Sequence, residues 1–288
     1  MNFSHKENAK VLFNKNQIGE YWNNLYQDVS SCLDYHFVRR LEITTQIIQS
    51  VAVPSEKILD LGCGSGVLSE RLLDSGYSVD AADMSEDMRE FTQKRLAKFD
   101  AEKYKIFYAD CEKLDFSAET YDLVACIGVF GYLDEVDQAI AEIYRVLKPG
   151  GKLVMSIRNE DNLNIFDIQR VLKNIFIKIP NKILKRLFSD KNKSSVIDGN
   201  AAPDSRKKHF INIWDRPRDV IGIFNHAGFR LRQFEAVGYG PIQYRGKSLL
   251  PEVLSKSISA GLDNFFRATG LYRQTKWFAD ISIYMFEK

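Results

Sequence analysis

From residue 57 to residue 157 the chain alternates between short apolar runs rich in β-branched residues and stretches with helical spacing, joined by Gly, Asp or Ser. Unbroken apolar runs of four to six residues suit strands covered on both faces. Their alternation with helical stretches is the pattern of βα units in a parallel sheet. The runs predict strands over 57–60, 78–82, 105–108, 121–126 and 152–157. The last is entered through Lys148-Pro149-Gly150-Gly151, which stops the helix before it. Upstream, Val38, Leu41, Thr45, Ile48 and Ala52 share one helical face, so residues 11–50 read as one or two helices leading into the core. Residues 158–208 break the rhythm and carry 12 Lys/Arg against 6 Asp/Glu, the mark of an insertion rather than another βα unit. The pattern returns with a helix from about Arg216 to Ala227, a strand over 230–237, a helix-like stretch over 248–269 and a closing strand over 279–286. Four segments follow: an N-terminal helical cap (1–56), a core (57–157), a basic helical insertion or lid (158–208) and a C-terminal return to the core (209–288).

The 288 residues are 45% hydrophobic and 27% charged, which excludes disorder and a fibrous fold as the main state. With 40 Lys/Arg against 38 Asp/Glu, no general electrostatic pull toward nucleic acid exists. The longest apolar run, near 123–133, is about half of the ~20 residues a membrane-spanning helix needs. No apolar stretch follows the charges of Met1–Glu7, so a cytoplasmic location is expected. Cys32, Cys63, Cys111 and Cys126 form no C-x-x-C pair and have no accompanying histidines, so they read as reduced thiols and no metal is expected.

The chemistry concentrates where the first strand runs through Asp60 into Leu61-Gly62-Cys63-Gly64-Ser65-Gly66. Glycines there let the backbone turn sharply and approach a ligand with no β-carbon between. A dinucleotide fingerprint would require glycine at 67, where Val67 stands. Asp83 follows Gly66 by 17 residues at the end of the second strand, Asp110-Cys111 follows the third, and the fourth ends in Ile127-Gly128-Val129-Phe130-Gly131-Tyr132-Leu133-Asp134 before a helix and the Pro149-Gly150-Gly151 turn. This ordered set, spanning 57–157, resembles the class I S-adenosylmethionine-dependent methyltransferases of small-molecule, natural-product or quinone-pathway type.

The resemblance implies an α/β Rossmann-like seven-stranded methyltransferase sheet with helices on both faces, an N-terminal helical cap and a helical lid insertion. It implies S-adenosylmethionine as cofactor and S-adenosylhomocysteine as product. Asp60, Gly62, Cys63, Gly64 and Gly66 would form the cofactor turn, Asp83 would take the ribose hydroxyls and Met84 would pack on adenine. Asp110 and the Cys111 backbone would meet the adenine edge, and Ile127 would close the strand end beneath the sulfonium. Tyr26 and Arg39 of the cap would cover the methionine portion, with Arg40 as the substitute; a guanidinium suits a carboxylate because it pairs in a bidentate fork. Each has a structural reading beside it: a tight turn at 62–66, a helix cap at Asp83, a loop acid at Asp110, and core aromatics with a solvated arginine pair in the cap.

In-line attack on a sulfonium methyl needs no base from a neutral amine, whereas an unactivated hydroxyl or carbon acid usually requires one. His36, His209, Tyr132 and Asp134 are the candidates, with His209 and Tyr132 foremost as catalytic residues. No Pro-Pro-Tyr or Pro-Pro-Phe follows the fourth strand, which with the balanced charge favours a small-molecule or lipid-like acceptor over nucleic acid. Oxygen is the favoured acceptor atom, an amine such as that of an amino sugar is the runner-up, and a cofactor-binding regulatory or scaffold protein is the rival outside enzymology. The basic amphipathic stretch over 165–189 reads as a packed lid, an anionic-membrane contact at the periphery of a bilayer, or a dock for an acidic carrier protein.

Overall fold

The computed structural model describes residues 4–14, 20–22, 25–26, 29–159, 217–240, 243–244, 247–248 and 250–288. The N-terminal part supplies two long helices, α1 (His5–Phe13) and α2 (Cys32–Val51). Each starts at a serine whose hydroxyl accepts from an N–H three residues on, Ser4 from Glu7 and Ser31 from Asp34, while the acid reaches back to the serine N–H. Helix α1 thus begins nearer the terminus than hydrophobic spacing alone predicts. The core follows as β1 (Lys57–Leu61), α3 (Val67–Asp74), β2 (Ser78–Asp83), α4 (Glu86–Leu96), β3 (Tyr104–Tyr108), β4 (Tyr121–Ile127), α5 (Val136–Val146) and β5 (Leu147–Arg158). After the insertion come α6 (Pro217–His226), β6 (Arg230–Val237), a two-residue ribbon over 243–248, α7 (Glu252–Ala268), α8 (Tyr272–Thr275) and β7 (Ile281–Glu287).

The seven strands form one sheet in the order β3-β2-β1-β4-β5-β7-β6, parallel except for β7, which runs antiparallel to both neighbours. Successive strand residues serve opposite faces, as the pleat requires. Ile58, Val79, Leu123 and Val154 pack with Leu41, Ile48, Leu68 and Leu72 of α2 and α3. Leu59, Val124, Leu153 and Phe286 pack with Ile140, Ile143 and Phe224 of α5 and α6. Both faces are covered, which is why the strands read as unbroken apolar runs.

Two expectations change in detail. The Lys148-Pro149-Gly150-Gly151 turn is a bulge inside β5: Tyr121 pairs with Leu147 and Leu123 with Lys152, leaving the four residues between them unpaired with β4, while Gly150, at φ +74°, and Gly151 bond Lys288. Lys148 uses the bulge to grip Asp122 at 2.7 Å. Helix α7 also departs from its apolar spacing: it buries Ser255, Ser259 and Asp263 and packs Leu262 and Phe266 against Ala236, Tyr239 and Ala279, but leaves Val253, Leu254 and Phe265 exposed. The lid over 158–208 lies almost wholly outside the described residues, as does the 165–189 stretch. Among the described residues, no helix is long and apolar enough to cross a membrane.

Candidate functional site

The carboxyl ends of β1, β2, β3 and β4 converge on the turn at 62–66, where Gly62, Gly64 and Gly66 all have φ between +56° and +76°. Their reasons for being glycine differ. A β-carbon on Gly62 would stand 2.3 Å from Val129 Cγ2, and one on Gly66 would stand 3.0 Å from Thr92 Cγ2, so both are held by the protein's own packing. A β-carbon on Gly64 would meet nothing within 4 Å, so Gly64 marks the open side of the turn. The backbone is fixed by Gly62 and Cys63 N–H groups donating to Ala82 O, by Thr92 Oγ1 donating to Gly64 O at 2.8 Å, and by Arg95 Nε donating to Ser65 O at 2.8 Å.

Asp83 faces this open side at the end of β2. Its carboxylate accepts from Gly64 N–H at 3.0 Å and from Ser85 N–H at 2.8 Å, which leaves lone pairs for further donors. Burial pushes its pKa up, against the pull of those N–H groups and of Arg89. Asp60 sits deeper: fully enclosed in β1, it accepts from Ser69 Oγ at 2.6 Å and braces α3, and burial pushes its pKa up to about 6. Met84 is half-buried beside Asp83. The Cys63 thiol is buried against Thr92 and its pKa is pushed well up by desolvation. All four cysteines are free and buried, Cys111 among them, in the loop after β3. Among the described residues, no His, Cys, Asp and Glu cluster is placed to hold a metal ion.

Asp110 does not stand alone. Its Oδ1 accepts from Glu112 N–H, and its Oδ2 is ion-paired to Lys6 of α1 at 2.9 Å. Lys6 also pairs with Glu112, whose other oxygen accepts from the N–H groups of Asp134 and Glu135. At its far end α1 is tied down where Ser85 Oγ meets Phe13 O and Asn14 Oδ1, and the Phe13 ring packs edge-on to Tyr132 at 5.3 Å. Helix α1 therefore lies across the ends of β2, β3 and β4. The sequence reading missed Lys6, for its partners are more than a hundred residues away.

At the end of β4, half-buried Ile127 leads to Gly128, where a β-carbon would stand 2.9 Å from Arg40 Nη1. Arg40 is 8% exposed, stacks over Phe37 and donates to Tyr26 Oη at 3.2 Å. Its Nε has no hydrogen-bond partner, and among the described residues no carboxylate lies within ion-pair reach of it. A buried guanidinium without a counter-charge is costly, and among the described residues none supplies one. Arg39 is instead engaged by Glu42 at 2.8 Å and approached by Asp263 at 3.6 Å. The guanidinium beside Gly128 at the end of β4 is that of Arg40, while Arg39 faces Glu42 and Asp263. The helical phase carrying Thr44 and Ile47 inward on α2 also carries Arg40, a signal present in the sequence.

Tyr132 is half-buried below Phe13, and burial pushes its pKa up although Arg40 and Arg158 draw it down. The phenol therefore stays protonated at neutral pH. His36 is 1% exposed, with Nε2 2.8 Å from Ser259 Oγ and Nδ1 3.2 Å from Asp280 Oδ2. Among the described residues this network encloses it fully. Asp134 accepts from Lys6 N–H at 3.4 Å. His209 lies outside the described residues.

Residues 59–155 match a family described as a methyltransferase domain. The chain is 30% identical over 168 residues to the ubiquinone biosynthesis O-methyltransferase of Hydrogenovibrio crunogenus, covering 56% of this chain and 67% of that protein. It is 38% identical over 112 residues to the demethylmenaquinone methyltransferase of Clavibacter sepedonicus, covering 39% of this chain and 44% of that protein. The match thus spans less than half the length of that relative, as it does of several other curated relatives. Among solved structures, magnesium protoporphyrin IX methyltransferase from Synechocystis PCC 6803 with bound SAH aligns with TM-score 0.58 over 97% of this chain and 98% of its own, at 16% identity, a likeness of fold alone.

Proposed function

Because the chain belongs to the class I S-adenosylmethionine-dependent methyltransferases, we propose that it methylates a small-molecule or lipid-like acceptor, with oxygen as the favoured acceptor atom. The observation that carries this reading is the meeting, at one end of the sheet, of an open Gly64 turn, a carboxylate with spare lone pairs at Asp83 and a buried, uncompensated guanidinium at Arg40. Those three features fit a ligand with a hydroxylated ring at one end and a carboxylate at the other, as the cofactor has.

In this reading Asp83 accepts from the ribose hydroxyls, the Gly64 backbone lets the ligand lie against the turn, and Arg40 with Tyr26 pairs the methionine carboxylate. Asp110 and the Cys111 backbone border the adenine, and Met84 packs on it. Asp60, Gly62, Cys63 and Gly66 hold the turn from behind, and Ile127 closes the floor. S-adenosylmethionine, when bound, supplies an electrophilic methyl group and its own leaving group. The chain's task is then to orient the acceptor atom in line with that methyl and exclude water. Tyr132, kept protonated by burial, is suited to hydrogen-bonding an acceptor oxygen rather than to taking its proton. The two relatives named for quinone-pathway methylation support a ring acceptor with an apolar tail.

Calorimetric titration with S-adenosylmethionine and S-adenosylhomocysteine, followed by product analysis on quinol and amine acceptors, tests the proposal. Saturable binding is expected, and Asp83→Ala is expected to weaken it by about 1–3 kcal/mol through lost charge-assisted hydrogen bonds. No binding by the folded wild-type protein would remove the reading. Binding without S-adenosylhomocysteine formation on any acceptor would turn it toward a cofactor-binding scaffold.

A further inference from the structure

Helix α2 meets the sheet mostly through apolar side chains, Leu41, Ile47 and Ile48 among them, and such contacts fix how deep a helix sits more firmly than how it is rotated. His36 supplies direction. Its ring is 1% exposed, with Nδ1 3.2 Å from Asp280 Oδ2, Nε2 2.8 Å from Ser259 Oγ, and the Cys32 thiol of its own helix 3.5 Å from Nε2. It also lies against Gly238, where a β-carbon would stand 2.7 Å from the ring and where φ is +88°. A side chain at 238 would push the ring aside, so the glycine keeps its seat open.

That seat is at the same end of the sheet as the Gly64 turn. Ile281 pairs with Arg158 at the end of β5 and with Val237 at the end of β6, so Asp280 and Gly238 stand one residue beyond the paired strands. Asp280 N–H donates to Gly238 O at 2.8 Å, which ties the two positions together. One turn along α2 from His36, Arg40 reaches Gly128 at the end of β4, where a β-carbon would stand 2.9 Å from its Nη1. Arg40 has Tyr26 Oη at 3.2 Å and the Phe37 ring, but among the described residues no carboxylate of its own, so the helix and not an ion pair sets where its guanidinium stands. Rotating a helix by about 20° moves a side-chain tip about 6 Å from its axis by about 2 Å, more than a hydrogen bond tolerates. A second side-chain tie from α2 to α7, Arg39 to Asp263, is longer at 3.6 Å and shares that acid with Arg267.

We propose that His36 is a positioning residue for Arg40: its bonds to Asp280 and Ser259 set the rotation of α2 and thereby hold the Arg40 guanidinium where it can pair a ligand carboxylate. This role rests on the reading of Arg40 as the partner of the methionine carboxylate. Because the ring is enclosed, it acts on a ligand only through Arg40. Replacing it therefore lowers affinity only for ligands that carry the carboxylate.

The experiment is calorimetric titration of the full chain with S-adenosylhomocysteine and with 5′-methylthioadenosine, which carries the same adenosine and sulfur without the amino-acid end. Arg40→Met is expected to weaken S-adenosylhomocysteine about thirtyfold and to leave 5′-methylthioadenosine unchanged. His36→Leu is expected to weaken S-adenosylhomocysteine at least about fivefold, again with no change for 5′-methylthioadenosine, and to add nothing in the Arg40→Met background. His36→Asn, whose amide nitrogen can stand near the place of Nδ1 and keep the bond to Asp280, should recover most of the loss. Gly238→Ala, which displaces the ring without replacing it, should reproduce the loss and carries the test if His36→Leu does not fold. Equal weakening of both ligands by the His36 and Gly238 variants, no weakening of either, or the same loss of S-adenosylhomocysteine with and without Arg40 overturns the proposal and leaves the reading of Arg40 intact. An Arg40→Met protein that binds both ligands as the wild type does overturns that reading together with the proposal.

Discussion

The two sides of the site are held by different kinds of contact. On the β1–β2 side the bonds are short in sequence and largely to backbone: Asp83 to Gly64 N–H, Asp60 to Ser69 nine residues away, Thr92 to the Gly64 carbonyl. On the side made by α1, α2 and α7, single side chains reach across the chain: Lys6 to Asp110 over 104 residues, His36 to Ser259 over 223 and to Asp280 over 244. The first arrangement forms with its own βα units. The second exists only when the whole sheet is assembled, so it can be loosened without dismantling the cofactor turn. Substitutions on the second side should therefore separate stability, affinity and exchange rate, which the first side keeps together.

The largest separation should come at Asp280. Although burial opposes it, the bonds to Asp280 and Cys32 push His36 up to about 9 from its ordinary 6.5. The folded protein holds this proton more tightly than the unfolded chain. The stabilisation is then complete below pH 6.5 and fades as pH rises through about 9, a change on the order of 3 kcal/mol. Other groups around the ring are Ser259 of α7 and, across Asp280, Arg158 of β5 at 3.6 Å. Asp280→Asn should lower stability at pH 6.5 by about 3 kcal/mol and flatten its decline toward pH 9. Urea denaturation at several pH values measures both. An undiminished decline in the variant would mean that His36 is not the group responsible.

A smaller effect, on affinity rather than stability, distinguishes the neighbouring arginines. Arg40→Met should weaken S-adenosylmethionine binding by about 2 kcal/mol, the scale of a charged hydrogen-bonded pair. Its fold should tolerate the change, because the wild-type guanidinium has no carboxylate of its own among the described residues. Arg39→Met should leave affinity unchanged while losing its contacts to Glu42 and Asp263. The reverse ranking in calorimetry would restore Arg39 to the site. These two residues also show what sequence could convey. The central strands β1, β2 and β4 were legible nearly to their ends because they are buried and bounded by Gly, Asp or Ser, the start of β5 was hidden by its Pro149-Gly150-Gly151 bulge, and the 62–66 turn was legible because its contacts are local. The choice between Arg39 and Arg40 turns on a 100° step of helical phase, and the apolar spacing of α7 gave no sign that its serines face inward. That face is decided by His36 and Arg39 on another helix.

The smallest thermodynamic effect, and the most direct probe of the long-range side, belongs to Lys6. Its ammonium joins α1 to Asp110 and Glu112 and is about one-quarter exposed, so solvent discounts the pair to about 1 kcal/mol or less of stability. Kinetically it should matter more. Helix α1 has its other anchors at Ser85 and Tyr132, so releasing Lys6 frees one end of the helix over the strand ends while leaving Asp83 and the Gly64 turn untouched. Lys6→Met should therefore speed cofactor dissociation severalfold in stopped-flow displacement, with little change in melting temperature. It also leaves Asp110 and Glu112 without their shared cation, so raising the salt concentration should slow the variant's dissociation more than the wild type's as it screens their repulsion. Equal dissociation rates in the two proteins would show that the cofactor leaves by a route α1 does not cover.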